Sequence, residues 1–475
     1  MKHQQTSDRT DREVRMLTQP VSRLIPAMAI PTIIAFLINS IYSLADTFFV
    51  SSLGESATAA VSVNANLDQI IMMAGSMLAV GAASYVSRLL GAGQKEKADK
   101  VMSTAFFLAF GFGALIMVLG VAFMGPMVDL LGATDTCRDY SVDYATYVLL
   151  AAPFMASTFV MNQCLRAEGS AVLSMIGMGF GGVLNCLLDP IFIFGWGPIP
   201  AMGVAGASVA TAISKLISFG ILIFPYLTRH SVLRLSWRCF ALKKDILSQT
   251  ISVGMPSMLR SGLAVVAGVL LNNLAGGISD AVLAGIGVST KVMMFPFSII
   301  LGFGSGFQPV VGFSWGAGRY DRVNESYRFS ARTALLGAGA MALVLGIFAP
   351  QVITLFNAEA NSEMQQLGTL CIRLQCIALP IHAWVAVVNM FCAALGYAGK
   401  AFLLATARQG TCFLPILFPM ASLMGATGIV AVQAVADVLT LVLAIPILCL
   451  VKGHIRDKQA ELARDTQTQK EGAGA

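Results

Sequence analysis

Charge is scarce in this chain. Only 12% of its 475 residues are Asp, Glu, Lys or Arg, while 56% are hydrophobic and the mean hydropathy is +0.75. That balance excludes a water-soluble globule, because apolar segments long enough to cross a bilayer must fill most of the length. Metal-binding and disulfide patterns are missing too. The nine cysteines fall mostly inside apolar stretches and form neither CxxC nor a Cys/His group with zinc spacing, so they read as small free hydrophobes. No nucleophile and base spacing, P-loop or metalloenzyme motif stands out, so an enzyme, a cofactor and a nucleic-acid partner are not expected. The first fifteen residues, MKHQQTSDRTDREVR, have no apolar core of their own, so no cleaved signal peptide is expected.

What is present is a series of apolar segments of spanning length. They fall at about 23–52, 57–87, 101–125, 144–165, 171–195, 203–227, 248–275, 282–315, 333–350, 367–396, 401–422 and 427–451, judged against the roughly 20 residues a spanning helix needs. The reading is an all-α polytopic membrane protein with twelve transmembrane helices. A basic linker divides the spans six and six. The organisation expected is a cytoplasmic arm (1–22), a first six-helix bundle (23–228), the linker (229–247), a second six-helix bundle (248–451) and a cytoplasmic tail (452–475).

Lys and Arg are distributed unevenly between the two sides. Of the 31, the joints that share a side with the arm, linker and tail hold 26, counting Lys400 and Arg408 in the joint at 397–408; the opposite joints hold only Arg138. The remaining four, Lys215, Arg260, Lys291 and Arg373, lie within spans. This asymmetry places both termini in the cytoplasm of a multi-pass protein, and the bacterial inner membrane is the expected location.

The halves resemble each other. A shift of 225 residues pairs Pro31 with Pro256, Gly81 with Gly306, and the GAG at 91–93 with the GAG at 316–318; near the ends, Gly203 and Gly206 match Gly425 and Gly428. Each half holds an even number of spans, so the bundles run the same way through the bilayer and are related by an axis along its normal. A binding cavity between them, open alternately to either side, is the expected use of that architecture. The glycine runs GMGFGG (177–182) and GFGSGF (302–307) sit inside spans with no strand before them, and read as close helix packing rather than phosphate loops.

Four acids lie within spans, Asp46, Asp68, Asp189 and Asp437. Each costs roughly 2.5–3.5 kcal/mol on insertion scales, and so needs a partner, a proton or water. Counted along their helices at about 1.5 Å per residue, Asp46 and Asp189 reach similar depth in the outer half of the bilayer. Asn185 shares the face of Asp189, four residues on, and Pro190 withholds an amide from the carbonyl of Cys186. Tyr144 and Thr211 enter from the outer ends of their spans. These oxygens suit either Na⁺ at Asp46, Asn185 and Asp189, or a proton shared between carboxylates. Asp68 and its repeat-mate Met293, together with Arg260, are candidate cavity residues, and Asp437 reads as a counter-charge for Lys215, Arg260 or Arg373. Spans seven and ten carry no acid, so a carboxylate coupling site is not expected in the second half.

Several stretches carry a family resemblance: YSLADTFFV in span one, GAGQKEKA after span two, LRAEG after span four, NCLLDPIFIFG in span five, GVAGASVATAIS in span six and FQPVVGFSWGAG closing span eight. Together, over about residues 20–450, the chain resembles the multidrug and toxic-compound extrusion (MATE) family, on its DinF/MepA-like branch. The resemblance implies a MATE/MOP-type fold and a monomeric antiporter that expels amphipathic, often cationic compounds in exchange for H⁺ or Na⁺. It also implies a cation site at Asp46, Asn185, Asp189, Tyr144 and Thr211, and a responsive bend at Pro31. One departure is the insertion PIPA (198–201), which bears on the alignment of Thr211. The alternative is a lipid-linked sugar or peptidoglycan-precursor flippase of the same broad superfamily, for which a basic cavity at Arg260, Lys291 and Arg373 would be required.

Overall fold

A computed structural model of the chain describes residues 14–133, 136–197, 200–354 and 363–473. Most of the N-terminal arm (1–13), Pro198 and Ile199 of the PIPA insertion, and the last two residues of the tail lie outside the described residues.

The spanning helices are α1 (Val21–Ser51), α2 (Glu55–Gly91), α3 (Lys95–Ala122), α4 (Arg138–Ala167), α5 (Ala171–Phe194), α6 (Val204–Leu227), α7 (Lys244–Gly276), α8 (Asp280–Gly316), α9 (Tyr320–Thr354) and α10 (Glu363–Leu395). The remaining run begins at Ala398–Thr406, passes through a π-helical turn, Ala407–Thr411, and continues as Phe413–Ala473. Among the described residues, eleven runs are long and apolar enough to cross a membrane. The last holds two crossings, because Gly425 at φ 56°, ψ −133° turns the chain back between α11 (398–424) and α12 (426–473). Gly203, its counterpart ahead of α6, has nearly the same backbone angles, φ 56° and ψ −129°. Both angle pairs fall in a region that residues with a Cβ rarely enter. The repeat in sequence is therefore a repeat of backbone conformation, and the fold has twelve transmembrane helices in two pseudo-symmetric bundles.

Packing follows the same symmetry. In the first bundle α4 is central, against α2, α3 and α6, while α1 packs on α5; in the second, α10 is central, against α8, α9 and the last run, while α7 packs on α11. The bundles meet through α1 on α8 and α2 on α7. A single apolar core unites the first bundle with Phe307, Phe313 and Phe391 of the second. Further from the linker the second bundle has cores of its own, one around Met293, Ile300 and Leu379 and another around Val282, Ile286 and Cys371. The halves thus share their interior toward the linker side and separate away from it.

The linker is fixed to the first bundle by buried acceptors. Glu168, fully buried after α4, accepts hydrogen bonds from Ser231 Oγ at 2.6 Å, Leu233 N at 3.1 Å and Ser170 Oγ at 2.9 Å. Asp99 accepts from Arg234 N at 2.8 Å, and Thr104 Oγ1 from Ala241 N at 3.1 Å. Donors of this kind offset the desolvation of a buried carboxylate. The glutamate of LRAEG accordingly serves as an anchor for the inter-bundle connection. The tail continues α12 as helix to Ala473.

Candidate functional site

Four helices of the first bundle contribute to the polar cluster. On α5, Asn185 and Asp189 stand one turn apart, and Asn185 Nδ2 donates to Asp189 Oδ1 at 3.3 Å and to Thr211 Oγ1 of α6 at 3.1 Å. All three are buried, Asp189 completely. Asp46 on α1 lies within electrostatic reach of Asp189 and Asp68, and Tyr144, buried on α4, within reach of all three acids. The five residues read as a cation site therefore converge, although they come from four helices. α1 approaches α5 closely because GMGFGG removes side chains from the contact: Ile38 packs over Gly179 and Gly182, with Tyr42 beside it. Ser218 of α6 donates to the Gly177 carbonyl of the same run.

The cluster has more acceptors than donors. Asp46 Oδ1, Asn185 Oδ1 and Asp189 Oδ2 are buried and receive no hydrogen bond among the described residues. Such orphaned oxygens are costly in a low-dielectric interior, a cost that a proton, a small hard cation or a water molecule would remove. The set is all oxygen, from carboxylates, an amide and hydroxyls, which matches the preference of hard cations.

Lys215 also belongs to this neighbourhood. It lies one helical turn beyond Thr211 on α6, donates to Tyr42 OH at 3.2 Å, sits 4.9 Å from the centre of that ring, and is within electrostatic reach of Asp68. The i,i+4 spacing from Thr211 is the sequence signal that places it on the same face.

Pro31 lies within an unbroken helix. Its neighbours Ala29 and Ile33 are the points where Gly306 and Gly302 of α8 make their closest approach, so the residue that lacks an amide donor sits where the two bundles are pressed together.

The second bundle corrects several expectations. Asp437 neutralises none of the three bases proposed for it; its partner is Arg408, with Nε at 2.6 Å from Oδ1. Arg408 is not in a solvated joint: it lies on the π-helical turn, 17% exposed, with its guanidinium 4.7 Å from the Phe297 ring. A π turn inserts one residue per turn and so redirects a side chain that ordinary helical spacing would leave outside. Arg373 and Lys291 are exposed. His382 meets Phe297 edge-on at 5.2 Å. Met293 is fully buried in the apolar core around Ile300 and Leu379, so it is a packing residue and not a cavity residue. Asp68 also lines neither cavity described next.

Between the bundles lies a cavity of about 170 Å³ whose wall includes Gln69, Gln163, Arg260 and Gln308. A smaller one, about 60 Å³, is lined by Tyr42, Asn162 and Lys215. Met72 and Phe159 contribute to both, so the two adjoin.

Known proteins resemble this chain in sequence and fold. The multidrug export protein MepA of Staphylococcus saprophyticus subsp. saprophyticus is 27% identical over 435 residues, covering 91% of this chain and 95% of the relative. MepA of Staphylococcus aureus is 26% identical over 446 residues, covering 93% and 97%. Among solved structures, an outward-facing conformation of a multidrug resistance MATE family transporter of the MOP superfamily superposes with a TM-score of 0.86 at 24% identity, covering 94% of this chain and 98% of the other. A MATE in complex with MaL6 gives 0.87 at 24% identity, covering 94% and 99%. The MatE family model matches residues 31–191 and 256–410, one segment in each bundle, and the chain belongs to that family of multidrug efflux transporters.

Proposed function

We propose that the chain is a secondary antiporter that exports amphipathic compounds in exchange for H⁺ or Na⁺ by alternating access. The observation that carries this reading is the set of three orphaned acceptor oxygens on Asp46, Asn185 and Asp189, gathered from α1 and α5. Thr211 and Tyr144 complete the cluster, and Na⁺ would take its ligands from Asp46, Asn185 and Asp189. The coupling ion supplies positive charge, and the protein supplies the fixed oxygens and their exclusion from bulk water.

Exchange requires that each ligand distinguish the two states of the carrier. Ion binding removes the repulsion between the Asp46 and Asp189 carboxylates and draws α1 toward α5. Because α1 also packs on α8 around Pro31, that movement is transmitted to the inter-bundle contact, and Pro31 is the position at which α1 bends. Substrate and ion thereby compete through the shape of the first bundle. The polypeptide sits as a monomer in the bacterial inner membrane, with arm, linker and tail cytoplasmic, in line with the lysine and arginine asymmetry.

The test is transport in proteoliposomes with an imposed pH or Na⁺ gradient. One of the two gradients drives uptake of a fluorescent amphipath by the wild-type protein, and Asp46→Asn and Asp189→Asn reduce it at least tenfold while both proteins still elute as folded species. Normal rates in both variants would overturn the assignment.

A further inference from the structure

The charged side chains lining the two adjoining cavities, the larger between the bundles and the smaller within the first, are Arg260 and Lys215; among the described residues no carboxylate lines either one. The two bases differ in how far they are satisfied. Lys215 bonds Tyr42 and has Asp68 within electrostatic reach. Arg260, in the larger cavity, makes no hydrogen bond or salt bridge among the described residues, and the charged group within electrostatic reach of it is another guanidinium, Arg408. Asp437 is already engaged by Arg408, so the neighbourhood keeps an unbalanced positive charge. On the same wall Gln308 Nε2 is buried with no acceptor. The wall of one cavity thus holds a guanidinium and, behind its surface, an amide nitrogen, both without an acceptor among the described residues, the reverse of the acceptor-rich cluster in the first bundle.

We propose that this cavity recognises amphipathic ligands through an acidic group, a carboxylate, sulfonate or phosphate, seated on Arg260 and Gln308. The inference rests on the efflux reading and narrows its substrate class. A guanidinium presents parallel N–H donors that match the two oxygens of such a group, and charge-assisted bonds of this kind are about twice as strong as neutral ones. Phe36, Met72, Met73, Phe159 and Met390 supply an apolar and polarizable wall for the rest of the molecule. A volume of 170 Å³ is of the order that holds one aromatic ring with a small substituent, by comparison with an engineered cavity of about 150 Å³ that binds benzene. The cargo favoured by these walls is therefore an aryl or alkyl acid, or a zwitterion whose acidic end lies at Arg260, and a bare organic cation is disfavoured.

The experiment is equilibrium binding to the purified full-length protein in detergent, which requires no ion gradient. The probes are phenylacetate, its methyl ester and benzyltrimethylammonium, followed by isothermal titration calorimetry. The acid binds at least tenfold more tightly than the ester or the ammonium salt. Arg260→Met lowers its affinity about tenfold and leaves the ester unchanged, and Arg260→Lys restores part of the loss. Gln308→Leu lowers acid affinity about threefold and carries the test if Arg260→Met does not fold. A wild-type preference for the ammonium salt, or an equal loss of all three probes in the variants, would overturn the proposal. Competition by dioleoylphosphatidylglycerol distinguishes the sources: displacement assigns the site to a lipid headgroup, and failure to displace assigns it to an exported acid, each upholding the acidic-group chemistry. Acid-selective binding without gradient-driven transport would sink the antiport reading alone, whereas transport without acid selectivity would sink this one.

Discussion

Arg88 and Phe313 occupy matching positions in the two halves, and the backbone carbonyl of each faces a glycine on the other's helix, Gly316 and Gly91 respectively. The 225-residue shift that relates Arg88 to Phe313 also relates Gly91 to Gly316. α2 and α8 are thus held together at the linker side by two reciprocal contacts that leave no room for a side chain.

A branched side chain there must separate the bundles. Gly316→Val places methyl groups against the Arg88 carbonyl, which is backbone and cannot swing aside. Overpacking of this kind costs about 1–3 kcal/mol, so the midpoint of thermal unfolding in detergent falls by several degrees and transport is lost. Gly111→Ala, on α3, where nothing lies within 4 Å of an added Cβ, is the matched control and leaves both unchanged. Equal behaviour of the two variants would show that the linker-side contact is not tight.

Within the polar cluster, Asn185 joins Asp189 to Thr211 through one amide. Asn185→Leu removes both hydrogen bonds and one orphaned acceptor but leaves the two carboxylates in place. Gradient-driven transport is expected to fall about tenfold, while Thr211→Val, which loses a single acceptor, gives about a threefold loss. These are the effects expected from roughly 0.5–1.5 kcal/mol per hydrogen bond. A larger effect at Thr211 than at Asn185 would contradict this order.

Lys215 and Asp68 are predicted to be coupled. Lys215→Met leaves Asp68 without its nearest positive charge, and the protein is destabilised. Asp68→Asn in the same background recovers most of the loss. A double-mutant cycle on thermal or chemical unfolding should return an interaction of about 1–3 kcal/mol, and strict additivity would dissolve the pair.

Arg408 and Asp437 form a pair that is more deeply buried, with side chains 17% and 5% exposed. Arg408→Ala strands the carboxylate and costs about 3–5 kcal/mol, whereas the apolar replacement of both partners, Arg408→Met with Asp437→Leu, is close to neutral. Chemical denaturation of the purified variants checks both values. If the double variant were as unstable as the single one, the pair would have a role beyond mutual neutralisation.

The architecture was largely readable in the chain itself. Apolar spans of about 20 residues, the 225-residue repeat and the glycines at 203 and 425 express constraints that act locally, through helix length and backbone angle. So did the grouping of Asn185 with Asp189, because four residues on one helix share a face whatever surrounds them. The places where the reading failed depend on tertiary placement. Arg408 falls in the joint at 397–408 when Lys and Arg are counted along the chain, whereas in the fold it lies on a π turn beside Asp437. Asp437 was matched to bases in the spans because its true partner had been counted outside them. Met293 was assigned to the cavity through its repeat-mate Asp68, but a repeat fixes a helix position and not which neighbour covers it, and neither residue lines the cavity. Lys215 was noticed only as a charge in a span; its bond to Tyr42 depends on the approach of α1 to α5 across the glycine run.

The central claim is that one ion and one substrate compete through the Asp46 and Asp189 cluster. The most direct measurement is the Kd of a transported compound across a pH and Na⁺ titration, in wild-type protein and in Asp189→Asn. Linkage makes the effect reciprocal, so saturating the cluster with the coupling ion should weaken substrate binding at least tenfold in the wild type and leave the variant's Kd flat. Identical dependence in the two proteins, or none in the wild type, would contradict the account.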